Sequence, residues 1–122
     1  MSVEEYKNIM KKKGCSCAQI VFSYFAKDFG IEEDKALRIS KAFGGGMMKE
    51  DKCGCVTAAY MALGLFYDDK VELKEKLREF DKRFLEIANS DVCFDIKNSN
   101  NIDCGDLIVD TINIIKDITK GE

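Results

Sequence analysis

Apolar residues recur every three to four positions along most of the chain, which is the spacing of one face of an α-helix. The clearest stripe runs from about Lys70 to Asn89, with Leu73, Leu77, Phe80, Phe84 and Ile87 at alternating spacings of four and three. Similar stripes predict helices over about 2–13, 16–28, 32–43 and 103–119. No segment alternates as a β-strand does. The pattern therefore predicts an all-α fold, a single-domain bundle of five to six helices over residues 1–122.

Local signals agree with these boundaries. Ser2 and Glu5 have the spacing of a capping box, and Gly14 and Gly30 stand where the first two helices should end. A further helix follows Cys53 and continues to about Phe66, and its residues are nearly all small or apolar. A helix that is apolar on most sides is usually central in a domain, so we expect the other helices to surround this one.

Composition narrows the functional class. The chain has 122 residues, is 46% hydrophobic and 34% charged, and carries a net charge of −3, with basic and acidic residues interspersed. This composition is globular, and it provides no basic face for nucleic acid. No apolar run approaches the roughly 18 residues of a membrane span. The acidic, amphipathic N-terminus does not resemble a signal peptide, so we expect a cytoplasmic protein.

The chain has no histidine and no proline but has six cysteines. Without histidine it lacks the commonest general base and the commonest metal ligand. Six cysteines are many for a small protein of a reducing compartment, where structural disulfides are rare. The cysteine content therefore favours redox, catalytic or metal-binding roles for the thiols over structural disulfides.

Most of the cysteines are predicted to lie near helix N-termini, where free backbone N–H groups and the helix dipole stabilise a thiolate. The alternative for any one of them is that it is a small, inert core side chain. Inert residues would not be expected to prefer helix starts or to form two Cys-x-Cys pairs. The candidate residues are Cys15, Cys17, Cys53, Cys55, Cys93 and Cys104.

Four glycines precede or separate these cysteines: Gly44, Gly45, Gly46 and Gly54. A glycine-rich turn before a helix can bind an anion or a cofactor phosphate through its backbone. The alternative is a tight corner between two helices, in which Gly54 lets another backbone, a disulfide or a cofactor approach the cysteines.

The order of these features resembles the redox-active protein family named for its C_GCAxxG_C_C cysteine pattern. The resemblance is carried by segments 17–19, 43–47, 53–59 and 63–65, followed by the cysteines of the C-terminal third. It implies that the four family cysteines are Cys17, Cys53, Cys93 and Cys104. Cys55 then stands at the family's alanine and Ala58 at its glycine, and Cys15 and Cys55 are left as a second, chain-specific pair.

Three hypotheses follow. The first is thiol–disulfide or electron-transfer chemistry, with Cys53 as nucleophile, Cys17 or Cys55 as its resolving partner, and Cys93 with Cys104 as a second couple. It requires no cofactor, and its partner would be a redox protein or a small thiol.

The second hypothesis is a zinc or iron–sulfur site, since four thiolates are the usual ligand count for both. Its ligands would be Cys17, Cys53, Cys93 and Cys104. The third is a non-enzymatic helical module, with Met47 and Met48 as a soft apolar contact. The long amphipathic helix near Lys70 is also compatible with a homodimer.

Overall fold

A computed structural model describes all residues from Met1 to Glu122. It is 76% helical and contains no strands, which confirms the all-α prediction, but it has seven helices instead of five or six. The additional helix is a single turn of five residues, too short to show a periodic apolar pattern in the sequence. The helices are α1 (Val3–Lys12), α2 (Cys17–Ala26), α3 (Glu33–Ser40), α4 (Gly54–Phe66), α5 (Lys70–Ala88), α6 (Cys93–Lys97) and α7 (Cys104–Ile118).

Side-chain caps fix where four of the seven helices begin: α1, α2, α5 and α7. The predicted capping box of Ser2 and Glu5 is present in α1, and Ser16 forms a second capping box with Gln19 at the start of α2. The Asp103 carboxylate accepts a hydrogen bond of 3.0 Å from the Asp106 N–H at the start of α7. Such caps satisfy backbone N–H groups that have no partner within the helix. They therefore hold the first turns of α2 and α7, where Cys17 and Cys104 lie, in fixed positions.

Helix α4 is central, as its composition predicted. It packs most extensively against α2 and also contacts α5 and α7. Its small residues Ala58, Ala59 and Ala62 are completely buried, which lets the neighbouring backbones approach closely. On its other side Phe80 and Phe84 of α5 stack with their ring centroids 5.6 Å apart. Burial of each such ring contributes roughly 1.5–3 kcal/mol, so this region supplies much of the stability.

The segment between α3 and α4 has an unusual backbone. Gly45 and Gly46 have left-handed φ angles, and so do Met47 (61°), Met48 (61°) and Glu50 (57°). A left-handed conformation costs about 1–2 kcal/mol for a residue other than glycine. The surrounding contacts must therefore hold this segment in place.

Those contacts tie the segment to the start of α6. The Cys93 N–H donates to the Asp51 carbonyl at 2.6 Å, and the Cys53 N–H donates to the Asp91 carbonyl at 2.7 Å. The Lys52 ammonium and the Asp91 carboxylate form an ion pair of 2.8 Å beside these bonds. Two cysteines separated by 40 positions in sequence are thereby brought next to each other.

None of the seven helices combines the length and the apolar character needed to cross a membrane.

Candidate functional site

The cysteines lie at the beginnings of four helices. Cys17, Cys93 and Cys104 are the first residues of α2, α6 and α7, and Cys53 is the N-cap residue of α4. Cys55 is the second residue of α4, and Cys15 lies two residues before α2. The four helix ends converge, so the free N–H groups of several first turns surround the same thiols. All six cysteines are free thiols in this structure.

Five of the six cysteines line one small cavity of about 40 Å³, which we call the thiol cavity. The volume is enough for a few water-sized atoms, since one water needs about 10–15 Å³. The cavity is lined by Cys17, Cys53, Gly54, Cys55, Cys93, Ile96, Lys97, Cys104 and Leu107. The four cysteines predicted to act together are therefore brought together, and Cys55 is among them.

Three glycines make this convergence sterically possible. A Cβ on Gly54 would lie 2.7 Å from the Cys17 Sγ, and a Cβ on Gly46 would lie 2.5 Å from the Cys93 Cβ. A Cβ on Gly44 would clash with the Ser16 side chain. The predicted glycines thus act as close-approach positions against Ser16, Cys17 and Cys93. Gly45 differs from them, because its backbone N–H hydrogen bonds with Cys17 and lowers the pKa of that thiol.

The electrostatics single out Cys17 and Cys55. Hydrogen bonding with the Cys55 thiol is the largest cause that lowers the pKa of Cys17 to about 6, and the N–H groups of Gly45 and Ala18 add to it. Hydrogen bonding with Cys17 and with Cys53 raises the pKa of Cys55 well above its ordinary value, and the complete burial of Cys55 raises it further. These shifts favour the thiolate form of Cys17 and the protonated form of Cys55 at pH 7.

Cys53 shares the same proton donor. Hydrogen bonding with Cys55 lowers the pKa of Cys53, while its burial and the negative charge of Cys17 oppose that effect. Cys55 has only one S–H proton, so it can donate to one of the two sulfurs at a time. The site therefore favours one fully stabilised thiolate over two.

The remaining cysteines hold their protons more strongly. Burial is the first cause that raises the pKa of Cys93, Cys104 and Cys15. For Cys93 and Cys104, the nearby charges of Cys17 and Cys53 raise it further. The raised pKa values favour the protonated form of these three thiols at neutral pH.

A second, larger cavity of about 370 Å³ opens to solvent beside the thiol cavity, and we call it the mouth. Cys17, Cys93 and Cys104 line both cavities, whereas Cys53 and Cys55 line only the thiol cavity. The mouth is completed by Lys11, Cys15, Ser16, Gly45, Glu50, Lys97 and Ile108. A molecule from solvent can therefore reach Cys17 through the mouth, while Cys53 and Cys55 lie behind it.

Cys15 and Cys55, the second pair suggested by the sequence, line different cavities: Cys15 lines only the mouth and Cys55 only the thiol cavity. Met47 and Met48, predicted as a soft apolar contact, are both exposed. Sequence reasoning missed the lysines of the mouth, since isolated lysines in amphipathic helices carry no pattern that distinguishes them from other surface residues.

No group of three or more Cys, Asp or Glu side chains is arranged to hold a metal ion in this structure. The metal hypothesis, with Cys17, Cys53, Cys93 and Cys104 as ligands, remains a prediction.

Fold and site together define a small helical protein in which a stabilised thiolate lies among further free thiols. A family model described as "Putative redox-active protein (C_GCAxxG_C_C)" matches residues 15–118, and the chain belongs to this family. No curated protein and no solved structure matches the chain.

The assignment of the four family cysteines to Cys17, Cys53, Cys93 and Cys104 stays a prediction.

Proposed function

We propose that this protein carries out thiol–disulfide exchange, with Cys17 as the attacking thiol and Cys55 as the resolving thiol. The observation that carries the proposal is that the cysteine with a pKa of about 6 is also one that lines the solvent-open mouth. A thiolate is the species that attacks a disulfide, and a thiol with a pKa near the ambient pH attacks most effectively. Cys53 is less suited to this role because it does not line the mouth.

The exchange has two steps. The Cys17 thiolate attacks one sulfur of a substrate disulfide, forming a mixed disulfide, and the other substrate sulfur leaves as a thiolate that takes a proton from water. Cys55 then loses its proton to water and attacks the Cys17 sulfur, forming a Cys17–Cys55 disulfide and expelling the second substrate sulfur as a thiolate that takes up a proton from water. The protein dithiol loses two electrons and the substrate disulfide gains them. An external dithiol reductant would return the protein to its starting state.

The pKa of Cys55 depends on the charge of Cys17, so the first step of the exchange affects the readiness of Cys55 for the second. While Cys17 is a thiolate, hydrogen bonding to it raises the pKa of Cys55 and keeps that thiol protonated. Once Cys17 is in a mixed disulfide it carries no charge, and this cause disappears. The pKa of Cys55 then falls, while hydrogen bonding with Cys53 and burial continue to raise it, so Cys55 attacks more readily after the mixed disulfide has formed than before.

The proposal is tested by trapping the mixed disulfide. We expect reduced Cys55→Ser protein to accumulate one substrate adduct on Cys17, and the wild type to pass on to an internal disulfide. Peptide mapping by mass spectrometry locates both products, and Cys15→Ser serves as a matched control that still resolves the adduct. An adduct located on Cys53, Cys93 or Cys104 would overturn the assignment.

The metal hypothesis predicts a different result for the same preparation. Protein purified without oxygen would contain stoichiometric zinc or iron, and its thiols would be protected from reaction. We expect instead that the reduced thiols titrate fully and disappear in pairs on mild oxidation. Metal content, acid-labile sulfide and free thiol measured on one sample distinguish the two.

A further inference from the structure

The mouth has the dimensions of a small-molecule site. Its volume of about 370 Å³ falls within the range of roughly 300–1,000 Å³ that is usual for ligand pockets. Cys17, Cys93, Cys104 and Ile108 provide a floor of sulfur and apolar atoms. The thiol cavity behind it holds only a few atoms, so a substrate must remain in the mouth while its sulfur meets Cys17.

The charges at the mouth are not all neutralised. Lys97 is paired with Glu50 at 3.6 Å, and nearby Lys7 is paired with Glu4 at 2.7 Å. The third lysine at this end of the molecule, Lys11, forms no ion pair within 4 Å.

The position of Lys11 places its charge beside the start of α7. Its Nζ lies 3.5 Å from the position that a Cβ on Gly105 would occupy, next to Cys104. The Asp103 carboxylate is close to the same glycine, and its pKa is lowered by the Asp106 N–H that it caps and further by the charges of Lys11 and Lys7. Lys11 nevertheless has no carboxylate within 4 Å and is exposed, so its ammonium group can bind an anionic group from solvent.

We propose, on the basis of the thiol exchange proposed above, that the mouth selects a small anionic disulfide and that Lys11 recognises its anionic group. One half of the substrate lies on the apolar floor with its carboxylate at Lys11, and its S–S bond faces Cys17. The bonds formed and broken are those of the exchange above, and the two electrons come from the Cys17–Cys55 dithiol. Lys11 acts as a specificity-determining residue and takes no part in bond making.

Single-turnover kinetics of the reduced protein with three disulfides of similar size test the proposal: dithiodiglycolate (anionic), bis(2-hydroxyethyl) disulfide (neutral) and cystamine (cationic). The three disulfides differ in their intrinsic reactivity toward any thiol. To correct for this difference, the rate constant for each disulfide with the folded protein is divided by its rate constant with the urea-unfolded protein. At low ionic strength we expect the normalised rate to be about threefold to tenfold higher for the anionic than for the cationic disulfide, as for one partly exposed ion pair. Added salt should reduce this ratio.

Variants at neighbouring lysines make the test specific. Lys11→Gln should bring the ratio close to one, and Lys11→Glu should invert it. Lys12→Gln removes the same charge from the next, exposed position of α1, which points about 100° away, and should leave the ratio unchanged.

The outcomes separate the two proposals. If all three disulfides react at Cys17 but Lys11→Glu leaves the ratio unchanged, the role of Lys11 is overturned and the exchange chemistry stands. If no disulfide reacts faster with the folded than with the unfolded protein, both proposals are overturned.

Discussion

The two ends of helix α4 lie in very different surroundings. At its beginning, Gly54 leaves no room for a methyl group because the Cys17 sulfur lies against it. Ten residues later, Gly64 faces open space, and the residues around it pack against aromatic and aliphatic side chains of α2, α5 and α7. The same helix thus supports reactive thiols at one end and a conventional core along the rest of its length.

This contrast has a physical reason. The first turn of a helix has N–H groups without partners, and these stabilise anions, whereas the middle of a helix has none to offer. A thiolate is therefore stabilised best where several first turns meet, as they do around Cys17. The middle of α4 instead carries the fully buried residues Ala58, Ala59 and Ala62, whose small side chains allow close packing against the neighbouring helices. Changes in the two regions should consequently affect different measurable properties.

The largest expected effect is on stability and comes from the core region. Phe80→Ala should lower the free energy of unfolding by about 3–5 kcal/mol, because Phe80 is fully buried and stacks on Phe84. Leu85→Ala in the same helix removes a half-exposed side chain and should cost well under half as much. Urea denaturation measures both. A shift in the pKa of Cys17 in folded Phe80→Ala protein would contradict the separation of the two regions.

The next effect concerns the thiols alone. Cys55→Ala removes the hydrogen bonding that is the largest cause of the low pKa of Cys17, so this pKa should rise above its value of about 6. The pH dependence of ultraviolet thiolate absorbance measures the change, with Cys93 and Cys104 replaced by serine in every sample. Cys55→Ser retains a donor and should restore part of the shift. If Cys55→Ala left the pKa near 6, the backbone N–H groups would have to be the main cause.

Alanine substitutions at the two glycines of α4 test the difference between the two ends of this helix. Gly54→Ala should destabilise the protein by about 1–3 kcal/mol and slow the alkylation of Cys17, since the added methyl group displaces the sulfur. Gly64→Ala meets nothing within 4 Å and should stabilise the protein by up to about 1 kcal/mol through helix propensity. Equal effects of the two substitutions would mean that Gly54 is not a close-approach position.

The smallest effect is expected from the left-handed segment before α4. Met48→Gly should stabilise the protein by about 0.5–1 kcal/mol, because glycine adopts the φ of 61° without strain and the Met48 side chain is 69% exposed. Lys74→Gly, at an exposed position inside α5, should cost about 1 kcal/mol and provides the control. Destabilisation by both variants would show that the segment is not strained.

Much of the fold could be predicted from the sequence because apolar periodicity and capping residues are local signals. The stripe of α5, the capping box of Ser2 and the central position of α4 are of this kind. Helix α6 could not be predicted with them, since one turn has no period, and neither could the left-handed angles of Met47 and Met48, because methionine does not favour that conformation.

The candidate site was partly predictable for the same reason. The positions of the cysteines near helix starts could be inferred locally, but which thiols meet depends on how four helix ends are arranged in space. The effect of Cys55 on the pKa values of Cys17 and Cys53 arises only from that arrangement. It is one reason why the exchange proposed above uses Cys17 and not Cys53 as the nucleophile, and no spacing in the sequence distinguishes the two.

The most direct test of the central claim is the rate of alkylation of each cysteine as a function of pH, measured by peptide mapping after brief exposure of the reduced protein to iodoacetamide. Cys17 should be modified first, with a rate that rises through an apparent pKa near 6 and is nearly constant above pH 7. Preferential modification of Cys53 or Cys104, or a Cys17 rate that rises only near pH 9, would contradict the account.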